Sequence, residues 1–87
     1  MNKESLIDFP TDFPIKVIGK LGSNFRDDVM AIIKSHAHDF EPSSTTTRHS
    51  KSNKYSSITC TVRATSQKQL DKIYQELSNS EKVLVAL

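Results

Sequence analysis

The sequence has no tryptophan and a single cysteine, Cys60, so no internal disulfide can form, which fits a reducing compartment. Its two glycines and three prolines are too few for a collagen-like repeat, and with 36% apolar residues the chain is not a disordered tail. The longest uninterrupted apolar run, residues 83–87, falls far short of the ~20 residues that a membrane helix needs. The first residues, Met-Asn-Lys-Glu-Ser-Leu, show no apolar segment of the secretory kind, and the expected location is cytoplasmic. Neither sign of charge predominates. Twelve Lys plus Arg against ten Asp plus Glu leave +2, too small an excess to imply nucleic acid from bulk charge. What remains is one small domain of 87 residues, able to bury roughly two-thirds of its unfolded surface. Such a core leaves little room for a deep catalytic cavity, so a shallow site or a subunit interface is expected.

Within that domain, Phe9-Pro10 and Phe13-Pro14 read as an extended N-terminal arm over residues 1–14, because each proline disfavours helix in the residue before it. Ile15 and Val17 alternate with polar neighbours and predict a first strand, closed by the Leu21-Gly22-Ser23 turn. Asn24 is a candidate N-cap. After it, Phe25, Val29, Ile32, Ile33 and His36 recur at helical spacing, with Asp27 and Asp28 in the first turn where the helix dipole favours them. The Ser- and Thr-rich stretch from Glu41 to Ser57 suits a solvated edge strand, placed at residues 45–49, and a hairpin. From Tyr55 the alternation is clean, with Ser56, Ile58, Cys60, Val62 and Ala64 on one side. Ser66 and Gln69 form a capping box ahead of Leu70, Ile73, Tyr74 and Leu77, which predicts a second helix over 67–78. Residues 82–87 close the chain as a fourth strand.

The order β-α-β-β-α-β with right-handed crossovers gives an α+β ferredoxin-like sandwich: a four-stranded antiparallel sheet of order 4-1-3-2 with both helices on one face. The fourth strand is then an edge that is apolar on both sides. Either the arm, with Phe9 and Phe13 against the outer side of the sheet, or a second subunit should cover it.

No constellation for catalysis emerges, since no nucleophile elbow or orienting base accompanies Cys60 or the serines. Cys60 reads as a buried core thiol. His36, His38, Asp39, Glu41 and His49 match no closed ligand set, so neither a metal nor another cofactor is expected and the histidines near residue 36 read as a helix C-terminus. Two places could bind. Lys20, Gly22, Ser23 and Asn24 put flexible backbone, a cation and a helix start together, a setting for an anion or a ligand carboxylate. Arg48, Lys51 and Lys54 make the hairpin basic, a setting for phosphate. Base stacking of the RNA-recognition kind is disfavoured, because Tyr55 is the one aromatic on the third strand.

Phe9-Pro10, Phe13, Lys16-Val17-Ile18-Gly19, His36-Ala37, Ser50, Tyr55-Ser56-Ser57-Ile58-Thr59, Ala64-Thr65 and Ile73-Tyr74-Gln75-Glu76-Leu77 resemble the YbeD family of small bacterial proteins. The match runs over almost the whole chain. It implies a ferredoxin-like domain without an assigned biochemical role, similar in shape to the ACT regulatory domains that bind amino acids at subunit interfaces, and it implies a dimer. The Asp-x-Pro-Gly start of the ACT ligand loop is absent between Gly19 and Asn24. The expectation is therefore a non-enzymatic regulatory or interaction module, binding a small molecule or a protein, with nucleic acid at the hairpin and open sheet face as the alternative.

Overall fold

Alternation over ten residues makes Tyr55–Ala64 the central support of the sheet, and its five inward residues, Ser56, Ile58, Cys60, Val62 and Ala64, are all buried. The computed structural model describes residues 7–87. In chain order the elements are β1 (Thr11–Lys20), α1 (Phe25–His36), β2 (Thr46–His49), β3 (Tyr55–Ala64), α2 (Gln67–Asn79) and β4 (Val83–Ala86), with a single 3-10 turn at Pro42–Ser44 before β2. The sheet is antiparallel in the order β2-β3-β1-β4, the expected 4-1-3-2 read from the other edge. Ile15 and Val17 of β1, Val29 and Ile33 of α1, and Leu70, Ile73 and Leu77 of α2 meet the inner side of β3 in one core. At about 25 cal/mol per Å² of apolar surface removed from water, that core is the main source of stability.

Strand β1 starts four residues earlier than the prolines suggested, so residues 11–14 belong to the sheet and not to an arm. The reason lies in hydrogen-bond direction. Lys16 N donates to Leu87 O on the β4 side, and in an antiparallel ladder the same side faces every second residue. Pro14 therefore aims its ring nitrogen towards the β4 side, at a level that β4, Val83–Ala86, does not reach, so the ladder among the described residues loses no donor there. Phe13 lies opposite Val62 on the inner face, and Ile7, Phe9 and Phe13 pack on the core. They do not cover the outer side of the sheet. Leu84, Val85 and Leu87 stay exposed.

The two helix starts differ in how far they match the expected caps. Asn24 is not a side-chain cap: it sits in the left-handed region at φ 61°, and its Nδ2 donates to Asp27 Oδ2 at 3.1 Å. Ser66 does cap α2, its hydroxyl accepting from Gln69 N at 3.1 Å. Gln69 reaches one residue further back than a capping box requires, taking Thr65 N at 2.7 Å, and its Nε2 donates to His36 O at 2.9 Å. One side chain thus ties the start of α2 to the end of α1. His36 adds a second tie, its Nε2 lying 2.7 Å from Glu76 Oε2. Ser66→Ala should lower stability by about 1 kcal/mol, read as a shift in the denaturation midpoint at unchanged slope. An unchanged midpoint would show that the cap contributes nothing.

Candidate functional site

Two-residue alternation sorts the strand charges onto one side. Lys16, Lys20, Arg48 and Arg63 all fall on the outer face, away from the helices. Asp12 is the one carboxylate in the four strands, and it sits at the far end of that face, 3.4 Å from Arg63 Nη1. Lys16 and Arg48 make no ion pair among the described residues. Between them lies a depression of about 350 Å³, floored by Ile18 and Ser57 and bounded by Tyr55 and the β2 end at His49 and Ser50. Register explains the grouping: Arg48 stands opposite Ser57, Ser57 opposite Ile18, and Ile18 opposite Val85. A row of four strands thus runs from a guanidinium to an exposed valine, and Lys16 and Lys20 flank it one pleat away on either side.

The basic hairpin meets this face at one end. Ser50 Oγ accepts from Tyr55 N at 3.1 Å and Lys54 N at 3.2 Å, and Asn53 adopts φ 58° to close the turn. Leu21 N donates to Lys54 O at 2.9 Å, and Lys20 pairs with Tyr55. The two places singled out in the sequence, residues 20–24 and 48–54, therefore adjoin. Of their cations only Arg48 lines the depression; Lys51 and Lys54 ride the turn beside it. In the first loop Ser23 N is spent on Lys20 O, Gly22 takes φ 86°, and Ser23 Oγ is buried without a partner among the described residues. Lys16 belongs to no sequence motif, and the one signal for it is its place between Ile15 and Val17, which assigns it to the outward side.

The other candidates lie apart. Burial pushes the Cys60 thiol above its ordinary value, a nearby Thr45 hydroxyl and Arg26 offsetting only part of this, which makes it a poor nucleophile at neutral pH. Burial likewise raises the Tyr74 phenol, whose OH donates to Leu87 O at 2.9 Å. Among the described residues no three His, Cys, Asp or Glu side chains come together as a metal site, and no helix is long and apolar enough to cross a membrane.

With this geometry in view, comparison with known proteins places the chain. A family model described as protein of unknown function, DUF493, matches residues 4–87. The chain belongs to the DUF493 family. It is similar to the UPF0250 protein NE1487 of Nitrosomonas europaea, 44% identical over 87 residues and covering all of both chains. It is 41% identical over 86 residues to a UPF0250 protein of Neisseria gonorrhoeae, covering 99% of this chain and 94% of that one. The solution structure of protein HP0495 from H. pylori superposes with a TM-score of 0.72 at 17% identity, over 98% of this chain and 89% of that one. This confirms the ferredoxin-like fold. The DUF493 membership also bears out the YbeD-like resemblance, and neither the family description nor the UPF0250 names carry an activity.

Proposed function

We propose that this DUF493 protein is a non-catalytic binding module whose outer sheet face receives an anionic partner between Lys16 and Arg48. The observation that supports this reading is the sorting of strand charge: four cations on the outer face, against one carboxylate that is already paired. Two cations facing one concavity raise the local potential and draw in anions, an effect that weakens as salt screens it. Heparin serves as a generic polyanion to test it. Lys16→Glu/Arg48→Glu should elute from immobilised heparin at clearly lower salt than the unaltered protein. Lys68→Glu/Lys72→Glu, with the same charge change on the exposed side of α2, should elute close to it. Equal losses in the two double variants would mean that net charge alone acts, and the proposal would fall.

A second reading, ACT-like binding of a small molecule at residues 20–24, draws support from Ser23 Oγ, a buried hydroxyl that has no partner among the described residues, in the turn that follows Lys20. A rise in melting temperature with one of the common amino acids, together with equal heparin losses, would favour it over the first.

A further inference from the structure

The outer face is not only basic. Val85 and Leu87, by register opposite Ile18 and Lys16, carry an aliphatic strip beside the cations, with Leu84 and Tyr55 exposed at its margins. Leu87 is 63% exposed and Val85 42%. Resting on the anionic reading above, we infer that the occupant is an acidic amphipathic helix of a partner protein, its apolar stripe on Ile18, Val85 and Leu87 and its carboxylates towards Lys16 and Arg48. Charge complementarity selects this occupant over a second copy. A two-fold pairing of this face with itself would bring Lys16, Lys20 and Arg48 against like charges, which disfavours association. Nucleic acid would leave the aliphatic strip unused, and Tyr55 alone offers a base little to stack on. The β4 edge does not invite strand addition. It is four residues long and bulged at Leu84, the extra residue between the partners of Ile18 and Gly19, and short bulged edges are the means by which natural sheets blunt strand addition. Its open face is wide enough for a helix: strands about 4.8 Å apart span a width that a helix rising 1.5 Å per residue crosses in about a dozen residues.

The test uses a synthetic Glu/Leu peptide of that length with leucines at i, i+3, i+4 and i+7, a scrambled peptide of equal composition, and an oligothymidylate. Fluorescence anisotropy with the full chain should show the patterned peptide binding at least about tenfold more tightly than the scrambled one. The neutral double variant Val85→Ser/Leu87→Ser should lose about tenfold or more of that affinity, while keeping its melting transition and its heparin elution. Equal binding of the two peptides overturns the inference and leaves the anionic face standing. So does tighter binding of the oligothymidylate that the serine variant preserves, which would identify nucleic acid. A dimer in sedimentation that the serine variant abolishes overturns it in favour of a second copy. Peptide binding with no response to Lys16→Glu/Arg48→Glu overturns the inference, and the anionic reading falls with it only if the heparin losses of the two double variants are also equal.

Discussion

Phe40→Ala is expected to cost about 3–5 kcal/mol, the range for deleting a buried phenylalanine side chain. Phe40 is 2% exposed, one of the bulkiest side chains in the core, yet it stands outside every helix and strand. Its backbone is held from two sides: its N–H donates to Ala37 O at 3.0 Å, and Lys34 Nζ donates to its carbonyl at 2.9 Å. The segment between α1 and the 3-10 turn is thus folded back so that the ring closes the end of the core. A loop pinned in this way cannot fully collapse onto an alanine, and a cavity remains. For a domain of this size, whose whole stability is of order 4–13 kcal/mol, the loss is a large share of the total. The melting temperature should fall by roughly 12–40 °C. Calorimetry of the purified variant reads the effect, and a loss below about 1 kcal/mol would mean that the ring contributes little to holding the loop.

Phe40 also shows where the sequence ceases to be informative. Its neighbours, His38, Asp39, Glu41 and Pro42, are polar or helix-breaking, so neither a two-residue nor a 3.6-residue period reveals that it faces inward. The remaining signal is a lone aromatic in a polar connection, which is weak. β3 is the opposite case, where five inward residues in strict alternation fixed the central strand and the register of the face it buries. β1 lies between the two. Its second half was legible from Ile15 and Val17, whereas Pro14 concealed the first half, because nothing local shows that a nitrogen will point past the end of a neighbouring strand. The candidate site follows the same logic. Arg48 was visible as part of a basic hairpin, but its convergence with Lys16 depends on how two strands far apart in sequence line up against β3. Long-range register is what composition and periodicity leave out.

Gly19→Ala should destabilise the fold by about 1–3 kcal/mol, the usual cost of forcing an extra methyl into a filled space. A Cβ on Gly19 would lie 2.5 Å from Cδ1 and Cγ of Phe25, closer than carbon atoms can pack. Cγ is the root of the ring and not its far end, so turning the ring about its Cβ–Cγ bond does not clear it; the buried Phe25 must change its whole side-chain placement or the first turn of α1 must shift. Opposing this is the entropy gain from replacing glycine in the unfolded chain, worth about 0.4–1 kcal/mol where the native backbone suits alanine. Gly19 lies in β1, and of the two glycines only Gly22 has a positive φ, so that gain applies and trims the loss without reversing it. The clash has one partner, which makes it separable by a double-mutant cycle. Phe25→Leu alone removes buried surface and destabilises. Combined with Gly19→Ala, it should give a total loss smaller than the sum by about 1 kcal/mol or more, since the smaller side chain makes room for the new methyl. Strictly additive losses would show that the cost of Gly19→Ala arises elsewhere. The register gives the outcome a functional side: Gly19 pairs with Val83 at the bulge, and its neighbour Ile18 pairs with Val85 on the face proposed to bind. If the new methyl is accommodated by moving β1 instead of α1, Gly19→Ala should also weaken binding of the acidic peptide, whereas a shift confined to the helix should leave that affinity unchanged.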